Sequence, residues 1–413
     1  MTYDVFNLTP QAEKPKRRPV PWHWLANVAL LVVVVYLVAH GCVPTVKGAN
    51  VRDYGAGGDD AASIQAAIDA VGGKETIEIP AGEYHLARGL RYKTTGVAQG
   101  LRLIGAGQVA TRLVLDGPGP LLTLDGSSDD WKWQKGTTIE NLSLIGGPDS
   151  DGHGLHIRAN WFLTLRNLTV TDFKGDGIHI LNKSEVARSS GDYDSSCYLT
   201  VENVELFRNN YGGRIFLDNN PGGCAGILFR HCQIVANRAG GLRLPGFEIT
   251  VDACGFHANV GEGGLIFPAG ESLMATHPTV GTKQKLIVRN CEFDTNAPQH
   301  IRIDAIIGLE VSNNRFIVQP LGKLPQAKFS ILLGQTPGPG EYVGAVQAAL
   351  ITRNIIRNAP VDTPHDFCVI GSNATGVKVS QTSTIGWTER RLGSREKNQL
   401  VVDKGTKTVV EQP

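Results

Sequence analysis

Two phrases of nearly the same wording stand 23 residues apart, Gly152-His153-Gly154-Leu155-His156-Ile157 and Gly175-Asp176-Gly177-Ile178-His179-Ile180. Imidazoles titrate near neutral pH, so His156 and His179 are candidates for taking or giving a proton, with Asp176 and His153 in the adjoining turns. Arg158, Arg243 and Arg302 offer fixed cations for carboxylated sugars, Phe216 an apolar platform, and Asp218 a second carboxylate. Two reactions would use such a set. Removing the proton beside a uronate carboxylate needs a base, His179 or His156, and a cation such as Arg243 to neutralise the enolate-like charge. Hydrolysing a glycosidic bond needs two flanking carboxylates, for which Asp176 and Asp218 are the nearest pair.

Bringing these residues together is the task of a repeat. Aligning Asn141-Leu142-Ser143-Leu144, Asn167-Leu168-Thr169-Val170, Asn203-Val204-Glu205-Leu206, His231-Cys232-Gln233-Ile234, Ala253-Cys254-Gly255-Phe256, Asn290-Cys291-Glu292-Phe293 and Asn313-Asn314-Arg315-Phe316 gives steps of 26, 36, 28, 22, 37 and 23 residues. A basic period of 22 to 28 residues, with insertions carried by single repeats, is the signature of a solenoid. With one repeat per coil, equivalent residues stack at about 4.8 Å. Leu142, Leu168, Val204, Cys232, Cys254 and Cys291 then form one interior column. Parallel in-register cysteines at that spacing exceed the reach of a disulfide, so Cys232, Cys254 and Cys291 are expected to be reduced. Cys197 and Cys224, in loop-like sequence, could bridge in an oxidising compartment.

Within each coil a glycine turn leads into a strand whose side chains alternate inward and outward. The inward pairs are Leu155/Ile157, Ile178/Ile180, Ile215/Leu217, Leu242/Leu244, Leu265/Phe267 and Ile301/Ile303. The residues between them, His156, His179, Phe216, Arg243, Ile266 and Arg302, are expected in one column facing solvent. Arg158, Leu181, Asp218, Pro245, Pro268 and Asp304 come next, on the following outward position. Insertions after Ile180 and after Phe267 would wall a groove on either side of this ladder.

The remaining composition narrows the class. With 40 Lys and Arg against 39 Asp and Glu, the chain lacks the basic footprint of a nucleic-acid binder. Its seven cysteines form no CxxC pair and have no histidines at zinc-site spacing, so neither metal nor cofactor is expected. From Trp24 to Ala39, fifteen of sixteen residues are apolar. Counted from Trp22 this stretch reaches about 27 Å as a helix, enough to cross a bilayer. Lys14, Lys16, Arg17 and Arg18 precede it and would hold the N-terminus in the cytoplasm. A cleaved signal peptide, or a lipoprotein signal ending at Cys42, is the alternative, and each of the three exports the remainder of the chain. The expected organisation is a basic cytoplasmic tail (1–21), a membrane anchor (22–40), a linker (41–50), a β-helix domain (51–385) and a charged C-terminal tail (386–413).

The passage from Val51, VRDYGAGGDDAASIQAAIDAVGGKETIEIPAGEYHL, predicts a short helix. Asp59 and Asp60 are N-cap candidates, Ile64, Ile68 and Val71 share one face, and Gly72-Gly73 stops it before a strand. This passage resembles the opening of the pectate-lyase-like superfamily, in particular the rhamnogalacturonase/epimerase-like group also found in phage tailspikes. The resemblance implies an all-β fold, a right-handed parallel β-helix whose N-terminal helix caps the first coil. Its catalytic motifs do not transfer. Arg243-Leu244-Pro245-Gly246-Phe247-Glu248 begins the lyase pattern R-x-P-x-x-R but ends in Glu. Gly152-His153-Gly154 lacks the preceding aspartate pair of polygalacturonase-like hydrolases, and the Asp-Pro-His of mannuronan epimerases does not occur. A further phrase, Gly105-Ala106-Gly107-Gln108-Val109-Ala110, fits a dinucleotide fingerprint, but another strand-like run comes after it where a helix is required. Two functions fit this reading: an exported, membrane-anchored lyase or glycoside hydrolase acting on an anionic polysaccharide, or a non-catalytic glycan-binding or structural β-helix, such as an exopolysaccharide-assembly component or a virion spike.

Overall fold

Asn141, Asn167 and Asn203, which lead the first three aligned repeats, have φ of 62°, 51° and 53°. This left-handed region is one that asparagine tolerates better than most residues. Their side chains hydrogen-bond up the column, Asn203 to Asn167 at 2.8 Å and Asn167 to Asn141 at 2.9 Å. His231, Ala253, Asn290 and Asn313 are left-handed at the same corner. The repeat aligned in the sequence is therefore a backbone corner, passed once per coil.

The computed structural model describes residues 48–55, 59–93, 99–126, 134–183, 196–218, 224–268, 285–319, 328–334, 346–357, 365–385, 401–403 and 408–410. All belong to a unit that begins at Gly48. The expected anchor, the walls drawn from residues 184–195 and 269–284, and much of the C-terminal tail lie outside the described residues. Among the described residues no helix is long and apolar enough to cross a membrane.

Every strand pairing among the described residues is parallel. Eleven strands from Leu90–Lys93 to Val401–Asp403 form one sheet in strict chain order, so each neighbour is one coil away. A second sheet bends at the asparagine corner. Thr164–Arg166 pairs with Thr200–Glu202, and Leu168–Thr171 with Val204–Phe207, while the corner residues Asn167 and Asn203 are skipped. Leucine, isoleucine, valine and phenylalanine fill the interior in columns, as with Phe256, Phe293 and Phe316, whose rings stack at 4.7 and 5.2 Å. Buried asparagines form a further internal ladder. Asn237 donates to Asn259 at 2.8 Å and Asn259 to Asn296 at 2.7 Å, which satisfies polar groups at turns that no water reaches.

Leu142 and Leu168 are fully buried, Val204 is 1% exposed, and Cys232, Cys254 and Cys291 are 0%, 2% and 2% exposed. All three cysteines are reduced, as are Cys197 and Cys224. The last two do not bridge, and Cys224 Sγ instead accepts a hydrogen bond from Asn182 at 2.8 Å. The predicted helix spans Asp60–Val71. Asp59 accepts from the backbone N–H groups of Ala61 and Ala62, and Gly72 ends the helix in the left-handed region. Ile64, Ile68 and Val71 are buried in the same core as the strands Thr76–Ile79 and Leu90–Lys93. Gly105 ends one strand and Thr111 opens the next across a turn closed from Ala110 N–H to Gly107 C=O, so the dinucleotide-like phrase is a coil corner. At the C-terminal end, Val401–Asp403 pairs with Cys368–Ile370 and Val409–Val410 with Lys378–Val379. The ladder thus continues past residue 385 into the segment expected as a tail.

Candidate functional site

Turn glycines set the register of the eleven-stranded sheet. A Cβ on Gly154 would stand 2.7 Å from the carbonyl of Gly177, one on Gly177 2.7 Å from that of Gly212, and one on Gly212 2.9 Å from that of Gly241. Side chains at these positions would be driven into the next coil, which explains the glycine column. Two residues beyond each glycine lies the outward rung. His156 pairs with His179, His179 with Arg214, Arg214 with Arg243, Arg243 with Ile266, and Ile266 with Arg302.

This order corrects one coil of the sequence register. Phe216 pairs with Leu181 and Asp218 with Lys183, so neither occupies the expected rung. Ile215 stacks on Ile180, and Gly213 takes the inward position beside Ile178. A Cβ on Gly213 would lie 2.9 Å from Leu242 Cδ2, so the core has closed over a missing side chain. Pairing apolar residues by type skipped this glycine and slid the strand by two. Counting from the turn glycines finds Arg214.

His179 points outward but is not open to solvent. It is 9% exposed and lies between two other rings, with centroids 4.1 Å away at His153 and 5.3 Å away at His156. The expectation of two freely solvated histidines fails because the turn residue His153 folds over the strand. Below the stack, Asp176 is 2% exposed. Its Oδ2 stands 2.7 Å from His179 Nδ1, while Oδ1 accepts from Asn210 Nδ2 at 3.1 Å and from the Tyr211 backbone N–H at 3.3 Å. Burial opposes ionisation of Asp176, but the hydrogen bond and charge of His179 and the nearness of His153 outweigh it, and its pKa lies below the ordinary value.

One residue assigns the protons of two rings. The backbone N–H of Asp176 donates to His153 Nδ1 at 2.8 Å, so a neutral His153 carries its proton on Nε2. The Asp176 carboxylate accepts a hydrogen bond from His179 Nδ1–H, which in the neutral ring leaves a lone pair on Nε2. A donor and an acceptor thus sit side by side in the stack. Burial first, then repulsion from His179, holds the pKa of both His153 and His156 down to about 4, so both are neutral at pH 7. His156 Nδ1 is buried with no hydrogen-bond partner.

Ring nitrogens of His153, His156 and His179 all lie within 4.8 Å of one another, a spacing that could suit a metal ion. The donor set argues against this. With Nδ1 of His153 engaged by the backbone and its proton on Nε2, two imidazoles remain, fewer than the three protein ligands of catalytic zinc sites.

Arg214, on the rung after His179, lies between the Tyr211 and Phe216 rings at 5.3 and 5.1 Å from their centroids, and its Nε has no hydrogen-bond partner. Tyr211 is buried beside Glu262, which pushes its hydroxyl pKa up to about 12. Arg243 differs, since its Nε lies 3.2 Å from Glu262 Oε2. Arg302 is held by Asp304 at 2.8 Å, four rungs from His179. Arg158 pairs in register with Asp125 on the coil before. Of the sequence candidates, the structure brings together His153, His156, Asp176 and His179 and adds Arg214; Arg302 lies apart, and Asp218, paired with Lys183, sits four residues along the strand from the histidine rung.

A family model described as a right handed beta helix region matches residues 153–320. No curated protein matches the sequence. Among solved structures, a tailspike protein of E. coli bacteriophage HK620, in complex with a pentasaccharide, aligns with a TM-score of 0.61 and 14% identity over 88% of this chain and 65% of its own. The A-module of Azotobacter vinelandii mannuronan C-5 epimerase AlgE6 aligns with a TM-score of 0.54 and 15% identity over 88% of this chain and 100% of its own. PfbA, a surface adhesin of Streptococcus pneumoniae, aligns with a TM-score of 0.53 and 14% identity over 88% of this chain and 91% of its own. At such identities the likeness shows the fold alone. The chain folds as a right-handed parallel β-helix.

Proposed function

We propose that this β-helix acts on an anionic polysaccharide and removes the proton beside a uronate carboxylate. The observation that carries the reading is the 2.7 Å contact between buried Asp176 and His179 Nδ1, one rung from Arg214. Asp176 orients His179 so that its outer nitrogen takes the proton, and His153, stacked beside it, presents an N–H that can bind the sugar on the same side. Arg214, partly desolvated between two rings, neutralises the charge that develops on the carboxylate. The sequence assigned that cation to Arg243, whose charge Glu262 already offsets. Hydrolysis is less well supported, because Asp176 is enclosed and its oxygens are engaged by His179, Asn210 and Tyr211. Solved structures of the same fold include a mannuronan epimerase and a saccharide-bound tailspike, in keeping with a glycan ligand.

Incubation of the full chain with alginate, polygalacturonate and hyaluronate in deuterated water tests this. An ultraviolet-absorbing unsaturated sugar marks elimination, and deuterium in an uncut chain marks epimerisation. New reducing ends alone would overturn proton abstraction, and an intact, unlabelled but retained polymer would make the protein a binder. Arg214→Ala is expected to lose more of the salt-sensitive binding than Arg243→Ala.

Residues 22–40 are proposed as a membrane anchor that leaves the β-helix outside the cytoplasm, with the helix Asp60–Val71 closing its first coil. A reporter fused after Pro413 should then be active outside the cytoplasm and the mature chain should keep its N-terminus. A cytoplasmic reporter, or a mature chain starting at or after Gly41, would reject the anchor.

A further inference from the structure

A second left-handed column runs along the corner that comes after the histidine strands. Gly136, Phe162, Tyr198 and Gly226 have φ of 73°, 57°, 57° and 67°. Each of the first three donates its backbone N–H to the residue just before the next, Gly136 to Trp161, Phe162 to Cys197 and Tyr198 to Ala225. The backbone therefore makes the same turn on four consecutive coils. The outer two fill it with glycine, the residue that adopts it without steric cost. The inner two place bulky aromatics there, a conformation such side chains rarely take and one that concentrates at ligand clamps.

Nothing in packing requires those rings. Phe162 is 53% and Tyr198 47% exposed, and they are the two aromatics among the exposed large hydrophobic side chains of the described residues. They stack face to face at 5.0 Å with 8° between planes. Trp161 stands edge-on to both, at 6.4 and 5.7 Å, and makes a wall to the platform. Gly226 leaves room for Tyr198, since a Cβ there would lie 2.7 Å from Tyr198 Cδ1. Lys135, exposed, pairs in register with Trp161 and adds a cation to the wall.

We infer that Trp161, Phe162 and Tyr198 form a sugar-binding subsite, which takes a pyranose ring of an anionic polysaccharide against the outer, Phe162 end of the stack and the Trp161 wall, with Lys135 of the coil before beside the carboxylate. The ligand class rests on the function proposed above. The place supports it: Phe162 lies on the coil of His156 and Tyr198 on the coil of His179, so a chain crossing the histidine stack along the strand direction reaches this corner next. The alternating apolar faces and polar rims of pyranose rings suit a flat aromatic surface with a polar wall.

Glycine is the residue this turn favours, so the test is Phe162→Gly with Tyr198→Gly in the full chain. Its melting temperature should equal or exceed that of the wild type, while retention in affinity gels containing alginate, polygalacturonate or hyaluronate falls about tenfold or more and quenching of tryptophan fluorescence by the same polymers is lost. Arg214→Ala serves as a separate arm. If Arg214→Ala loses binding and the double glycine variant keeps it, the histidine face stands and the aromatic subsite fails. If the double variant loses binding and Arg214→Ala keeps it, the subsite stands and the histidine face fails as the site. A melting temperature lowered by several degrees would show the rings to be structural and would overturn the subsite whatever the polymer. A wild-type chain that binds none of the three polymers overturns the subsite and its ligand class together.

Discussion

Cys254→Asp is expected to leave the chain unable to fold, while Cys254→Val keeps the native stability to within about 1.5 kcal/mol. Cys254 is 2% exposed between Cys232 and Cys291, in a column continued by Val204, Leu168 and Leu142. Around it the hydrogen-bonding groups are already committed. Its own Sγ lies 3.4 Å from the Asp252 carbonyl, and its backbone N–H is 3.4 Å from Cys291 Sγ. A carboxylate there would be buried without a cation, at several kcal/mol, against a total stability for ordinary domains of about 5–15 kcal/mol. Yield of soluble protein and urea unfolding measure the difference. Two variants of equal stability would place Cys254 outside the column.

His179→Ala is expected to lower turnover on a uronan by about 10²- to 10⁴-fold, the usual worth of a positioned general base. Unlike an ordinary surface change, it should also cost about 1–3 kcal/mol of stability, because the Asp176 carboxylate, 2% exposed, loses the partner of its Oδ2. Asp176→Asn separates the two effects. Its amide must still satisfy the Asn210 and Tyr211 donors with its oxygen, so its NH₂ faces His179 Nδ1 and drives the ring proton to Nε2. The fold keeps its hydrogen bonds and the base disappears. Turnover by Asp176→Asn should therefore fall nearly as far as in His179→Ala, with a smaller loss in thermal unfolding. Wild-type turnover in either variant would remove His179 from the role of base.

Most of the architecture was legible because a solenoid writes its coil into the chain. Asn141, Asn167, Asn203, Asn290 and Asn313 recur because a left-handed corner recurs, and the apolar residues one position after the first four, Leu142, Leu168, Val204 and Cys291, recur because they stack in one interior column. Ile64, Ile68 and Val71 mark a helix between Asp59 and Gly72 for equally local reasons, an N-cap and a left-handed stop. The outward rung was legible where the inward neighbours are apolar, as at His156 and His179.

It failed where an inward position is glycine. Gly213 carries no apolar signal, since the space its side chain would fill belongs to Leu242 of the next coil, and the strand read two residues out of register with Arg214 hidden. Burial of the histidines was likewise beyond any periodic pattern. It depends on His153 closing over His179 and on Asp176 reaching beneath it, contacts between turns of neighbouring coils. The aromatic corner shows the same limit, because Phe162 and Tyr198 reveal their strained conformation only when Gly136 and Gly226 are seen to occupy the same column. By itself the sequence determined the coil, its corner and its core, because these repeat along the chain. Only the tertiary structure decided which side chains share a proton, a charge or a face, because those neighbours are separated by a whole coil of variable length.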